Sequence, residues 1–93
     1  EVESVLNELP GVAESAVIGV PHPDFGEGVV AVVVPRPGAR PDPDTLIAEL
    51  RQRLAAYKVP KRVFLADELP RNTMGKVQKN LLRDRHAGTF PTP

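Results

Sequence analysis

Val29-Val30-Ala31-Val32-Val33-Val34 decides the fold. Five of its six residues are β-branched, and such side chains pack well on a pleated surface and poorly in a helix. The stretch therefore reads as a central strand. Upstream, Ala16-Val17-Ile18-Gly19-Val20 closes an apolar segment that starts at Val12 and is bounded by Pro21. It reads as a second strand, buried on both faces. The residues between, Pro21 to Gly28, are turn chemistry throughout. A parallel crossover needs a dozen residues or more, so a connection this short predicts an antiparallel pair.

Helices flank this hairpin in the pattern. Val2, Val5, Leu6 and Leu9 recur at i, i+3, i+4 and i+7, one stripe of a short amphipathic helix stopped by Pro10-Gly11. After the loop Pro35 to Pro41, Asp42 reads as an N-cap, with Pro43 at the first helical position and Asp44 favoured by the helix dipole. Leu46, Ile47, Leu50 and Leu54 form that helix's apolar stripe, and it is expected to end near Tyr57, ahead of Pro60. Arg62 to Ala66 reads as a third strand. Val77 to Arg85 reads as a third helix, with Val77, Leu81 and Leu82 inward and Lys79 and Arg83 outward. Gly88 to Pro93 reads as a frayed tail. The expected architecture is an α+β fold: a small three-stranded sheet with an antiparallel hairpin, covered by two to three helices.

Ninety-three residues allow a single small domain with a thin margin of stability. Hydrophobic residues at 41% and charged residues at 26% exclude the signature of disorder. With no Cys there is no disulfide framework, thiolate metal site or Cys nucleophile, and the expected compartment is the cytoplasm. No apolar run reaches the length of a membrane span, and the acidic Glu1-Val2-Glu3 does not resemble a signal peptide. The eleven prolines punctuate loops and form no repeat.

A formal net charge of zero conceals an asymmetry. Residues 1–50 hold nine acids and two bases, a net of −7; residues 51–93 hold ten bases and three acids, a net of +7. Either the halves pack together and neutralise one another, or the basic half faces an anion such as a nucleotide, a cofactor phosphate or nucleic acid.

Few residues suggest chemistry by themselves. His22 lies between two prolines in a turn and His86 near the tail; neither has a nucleophile or a second His at ligand spacing, and no metal site is expected. Asp67-Glu68 reads as a solvated strand end. Gly75-Lys76 invites comparison with a phosphate-binding P-loop, but that motif needs Gly at 70 and Ser or Thr at 77, where this chain has Pro70 and Val77. What stands out is Lys76, a compact charge on a long stem, placed after a glycine on a polar loop.

The segment around it, Leu69-Pro70-Arg71-Asn72-Thr73-Met74-Gly75-Lys76-Val77-Gln78-Lys79, resembles the C-terminal signature of the adenylate-forming superfamily: acyl- and aryl-CoA synthetases, peptide synthetase adenylation domains and luciferases. Three further stretches agree, in order. Glu1-Val2-Glu3 is similar to the close of that family's hinge. Ala16 to Pro21 with Gly26-Glu27 is similar to its first hairpin. Tyr57-Lys58-Val59-Pro60-Lys61 is similar to the stretch before its third strand. Within the superfamily, Pro70 to Asn80 most resembles malonyl-CoA synthetases.

The resemblance implies that residues 1–87 are the mobile C-terminal lid of an ATP-dependent acid–CoA ligase, with 88–93 a flexible tail and the large ATP- and acid-binding domain outside this chain. It implies an acid–thiol ligase acting in two steps. A carboxylate attacks the α-phosphate of ATP to give acyl-AMP and pyrophosphate, and CoA then displaces AMP after the lid swings. Lys76 is implied as the catalytic, ATP-binding cation bridging carboxylate and phosphate. Arg71, Gly75 and Lys79 are implied as support for the loop or contacts to the large domain. Lys58, Lys61 and Arg62 are expected toward the CoA phosphates; Phe25 stands where some relatives carry a basic residue. ATP, CoA and a Mg2+ carried on ATP in the large domain are the implied cofactors. The implied partners are the large domain and a small, malonate-like acid, with no nucleic acid and no membrane. The isolated chain is expected to be inactive. Two alternatives stand beside this reading: a small nucleic-acid- or anion-binding α+β module, and an interaction module without chemistry. Against the first, none of the four aromatics interleaves the basic run Arg71 to Arg85, so no base-stacking platform is evident.

Overall fold

A computed structural model describes residues 1–91. In chain order it contains α1 (Val2–Glu8), β1 (Val12–His22), β2 (Gly26–Pro35), α2 (Pro43–Arg53), a 3-10 turn (Ala56–Lys58), β3 (Arg62–Leu65) and α3 (Lys79–Arg85). The sheet order is β1-β2-β3, with β1 antiparallel and β3 parallel to β2. The fold is α+β, a three-stranded mixed sheet with three helices, as expected.

β2 is central because it can bury both its faces. Ala31 and Val33 join Leu6, Leu9, Leu46, Ile47, Leu50 and Val63 beneath α1 and α2. Val30, Val32 and Val34 join Ala16, Ile18, Val20, Leu69 and Leu82 on the α3 side. In β1 the alternation is interrupted once. The register steps from Val12 opposite Pro35 to Glu14 opposite Val34, a bulge at Ala13. The extra residue inverts the facing. Val12 is thereby buried with the α1–α2 cluster, whereas Ala16, Ile18 and Val20 face α3.

Asp42 caps α2 as expected: its carboxylate accepts the Thr45 N–H at 3.0 Å, and Pro43 follows at the start of the helix. Elsewhere six expectations change. The turn is shorter than Pro21 to Gly28: β1 runs on to His22 and β2 begins at Gly26, leaving Pro23-Asp24-Phe25. β1 is an edge strand, where a proline without N–H is tolerated, and Gly26 takes φ +74° to close the turn. His22 acts as a turn residue, its Nδ1 accepting the Asp24 N–H at 3.1 Å. α2 ends at Arg53 rather than near Tyr57, because Leu54 turns extended to pack on the α1–α2 cluster. β3 stops at Leu65, although the Ala66 N–H still bonds Val33 O at 2.9 Å.

α3 begins at Lys79, not Val77, since Val77 is held extended in a bridge to Arg71. The helix phase is then set by Leu82, buried at 1% exposure, and by His86 four residues on, which stacks on Phe64 at 4.5 Å. Leu81, expected inward, is 41% exposed. Nor is the expected tail bare. Phe90 lies 4.8 Å from the His22 ring and under the Arg62 guanidinium. A Cβ on Gly28 would stand 2.7 Å from the Phe90 ring, so the ring needs a glycine beneath it. Thr92 and Pro93, the end of that tail, lie outside the described residues. Among the described residues no helix is long and apolar enough to cross a membrane.

Candidate functional site: the Lys76 loop

Lys76 is positioned from both ends of its loop. Leu69 is buried in the α3-side cluster before it and Leu82 after it. Between them the Gln78 N–H bonds Pro70 O at 2.8 Å, and Arg71 pairs with Val77. Asn72 templates the tip. Its Oδ1 accepts the N–H groups of Met74 and Lys76, both at 2.9 Å. Its own N–H donates to Lys76 O and its carbonyl accepts from the Gly75 N–H, each at 3.0 Å. Gly75 sits at φ +83°, a conformation that β-carbon sterics disfavour for other residues. Nothing lies within 4 Å of where its Cβ would be, so the glycine is there for backbone conformation, not close approach. An asparagine three residues before a glycine is a legible turn signal.

The charges of this surface are distributed unevenly. Four ion pairs occur among the described residues: Arg53–Glu8, Lys58–Glu1, Arg71–Glu14 and Lys79–Glu3. Each joins an acid of the first half to a base of the second, so mutual neutralisation accounts for much of the sequence asymmetry. Within the motif, Arg71 and Lys79 are committed to internal acids. The ammonium of exposed Lys76 meets no acid among the described residues. The structure also adds three residues that the pattern did not single out: Asn72, Glu14 and Glu3. The two glutamates come from distant segments and carry no local signal.

Glu3 ties three elements together. One of its oxygens accepts the Val17 N–H of β1 at 2.7 Å and meets Lys79 Nζ of α3 at 2.9 Å. Burial pushes its carboxyl up, but the Lys79 ammonium and the Val17 N–H outweigh it and hold the group below its ordinary 4.5. A depressed carboxylate stabilises the fold above that ordinary value, and the contribution is lost as pH falls through the lower folded value. Glu3→Gln is therefore expected to flatten the acid limb, below about pH 4.5, of the thermal midpoint against pH. Circular dichroism melts check this, and an unchanged acid limb would count against it.

Lys58, Lys61 and Arg62 have different partners. Lys58 is engaged by Glu1, which it holds below the usual carboxylate range by hydrogen bond and charge. Arg62 bonds Lys61 O at 2.8 Å and covers Phe90. Of the three, Lys61 lines a groove of about 330 Å³ with Phe25, Glu27, Tyr57 and Val59, and its ammonium lies 4.7 Å from the Phe25 ring. Tyr57 is 80% and Phe25 66% exposed, although the Phe25 ring also lies 4.7 Å from the His22 ring and the Lys58 ammonium lies 5.7 Å from the Tyr57 ring. No group of three metal-ligating side chains converges among the described residues.

A tight loop that holds one lysine clear of internal acids, mounted on a mixed sheet, defines a small α+β module presenting an exposed ammonium. The chain belongs to the AMP-binding enzyme C-terminal domain family, which it matches over residues 1–76. It is 54% identical over 85 residues to a feruloyl-CoA synthase of an Amycolatopsis species, covering 91% of this chain. It is 52% identical over 84 residues, 90% of this chain, to a 3-[(3aS,4S,7aS)-7a-methyl-1,5-dioxo-octahydro-1H-inden-4-yl]propanoyl:CoA ligase of Rhodococcus jostii. The crystal structure of ATP-bound MatB from Rhodopseudomonas palustris superposes with a TM-score of 0.92 at 54% identity, over 96% of this chain. The chain spans 16–18% of the length of these relatives.

Proposed function

We propose that the chain is the mobile C-terminal domain of an ATP-dependent acid–CoA ligase, and that Lys76 is its catalytic cation for acyl-adenylate formation. One observation carries the reading: of the three basic residues in the motif, Lys76 alone is left unpaired among the described residues, at the end of a loop whose geometry is fully specified. In adenylation a carboxylate must approach the α-phosphate of ATP, and both are anionic. An ammonium between them removes their repulsion and stabilises the crowded transition state. A lysine suits that task because its stem is long and its charge compact.

In the second step a different face of the domain receives CoA. Of the three cations expected toward its phosphates, Lys61 is best supported, since it shares a groove with the exposed side chains of Phe25 and Tyr57. Exposed rings beside a cation suit a nucleotide base and its phosphates. Malonate or methylmalonate is the proposed acid. The support is the likeness of Pro70 to Asn80 to malonyl-CoA synthetases. The large domain that carries ATP, its Mg2+ and the acid is the proposed partner, and the cytoplasm the proposed compartment. The internal ion pairs lower the charge available to nucleic acid, which disfavours the alternative binding module.

The test is an acid panel on the full-length enzyme with ATP, Mg2+ and CoA: malonate, methylmalonate, ferulate and a long-chain fatty acid. AMP release and the mass of the thioester are read. Acid-dependent AMP release with formation of malonyl- or methylmalonyl-CoA is expected. Release with none of the acids would remove the ligase reading; release with ferulate alone would remove only the malonate assignment. The 93-residue chain alone is expected to form no acyl-AMP.

A further inference from the structure

We infer that Glu14 is a positioning residue for Lys76, acting through Arg71. The inference rests on the role proposed for Lys76 and adds what aims it. The Asn72 hydrogen bonds make the loop tip rigid, but they all lie within residues 72–76 and cannot orient the tip relative to the sheet. Arg71 does that. Its Nη1 donates to Gly75 O, the carbonyl just before Lys76, at 2.7 Å, while its Nη2 meets the Glu14 carboxylate. Among the described residues this is the one side-chain hydrogen bond or ion pair between the loop and β1, beside the apolar packing of Leu69 and Val77 at its two ends. A planar guanidinium bonded at both ends fixes direction as well as distance.

The bulge at Ala13 makes the link possible. By inverting the facing after Val12, it aligns Glu14 with Ala16, Ile18 and Val20, on the side of the sheet that carries Leu69 and Leu82. A strand without the bulge would turn Glu14 toward α1 and α2, away from the loop. Both partners are half-exposed, 44% for Arg71 and 35% for Glu14, and such pairs add little to stability. The arrangement is therefore better explained by geometry than by stabilisation. A misplacement of about 1 Å at a reacting centre can cost about 10²-fold in rate.

The experiment uses the full-length enzyme and separates the half-reactions. Glu14→Ala is expected to lower the rate constant of acid-dependent ATP–pyrophosphate exchange about tenfold or more. The KM for ATP, the thermal midpoint and thioester formation from supplied acyl-AMP should stay close to wild type. Glu14→Gln, which still offers Arg71 an acceptor, should recover most of the exchange rate. Glu14→Ala combined with Arg71→Ala should be no slower than Arg71→Ala alone, because the glutamate acts only through the arginine. Additive losses, equal loss in both half-reactions, or a Glu14→Ala enzyme with normal exchange would overturn the inference. If Lys76→Ala abolishes exchange while Glu14→Ala spares it, only the strut falls. If Lys76→Ala itself spares exchange, both the strut and the catalytic role fall.

Discussion

Replacing Lys76 with alanine in the full-length enzyme should slow acyl-adenylate formation about 10²–10³-fold, which corresponds to about 2.7–4 kcal/mol of lost transition-state stabilisation. Thioester formation from supplied acyl-AMP should remain within a few-fold of wild type. The asymmetry follows from where charge accumulates. Only in the first half-reaction must two anions be pressed together, so only there does the ammonium do more for the transition state than for the ground state. The effect should reside in the rate constant and not in ATP affinity, because the triphosphate is bound by the proposed large domain. Lys76→Arg should recover part of the activity: the charge is kept, but a planar fork replaces a point charge on a flexible stem. Acid-dependent pyrophosphate exchange and a separate acyl-AMP-plus-CoA assay read the two halves. Equal loss in both would mean that the substitution damages the domain, not the first chemical step. The loop itself argues against such damage, since Asn72 and Gly75 set its geometry through backbone groups that the substitution leaves in place.

The second large effect is on stability. Leu50→Ala should destabilise the domain by about 2–5 kcal/mol. Leu50 is fully buried and joins α2 to α1 and to the β2 and β3 residues Ala31, Val33 and Val63. Its removal costs the transfer of the lost atoms and leaves a cavity that β-branched neighbours in rigid strands cannot collapse to fill. For a domain this small each kcal/mol moves the thermal midpoint by about 4–8 °C, so a fall of about 10 °C or more is expected. Leu81→Ala is the control. At 41% exposure Leu81 should cost no more than about 0.5 kcal/mol, although a helix beginning at Val77 would have made it a core residue. Thermal melts of the two variants compare the phases directly. A large loss at Leu81 would place it inward after all.

Much of the fold was legible because local chemistry and burial point the same way. Val29 to Val34 can only be a strand with two apolar faces, and Asp42-Pro43 can only open a helix. The first helix, second helix and hairpin follow from period and punctuation. Misreadings arose where a long-range partner overrides a local pattern. Val77 has helical spacing with Leu81 and Leu82, but its backbone is taken by Arg71 across the loop. Leu54 continues the α2 stripe, yet the chain turns extended there to pack it on the α1–α2 cluster. Phe90 lies in a stretch that looks like a tail and is packed because Gly28 offers a bare backbone opposite.

The site divides along the same line. Lys76, Gly75 and the loop around them were readable, since a turn is specified by residues within four positions of one another. Which of the basic residues are left to act outward was not, because that depends on acids about 45 to 76 positions away, at Glu1, Glu3, Glu8 and Glu14.

The amino-acid order alone thus determined the elements, their apolar faces and the one loop able to present a cation, because each is a matter of neighbours along the chain. The tertiary structure alone decided the parallel seat of β3, the half-turn of β1 at its bulge, and the pairing that silences Arg71 and Lys79 while sparing Lys76. Those depend on which distant segments share a face of the sheet, and a charge is neutralised by what lies beside it in space.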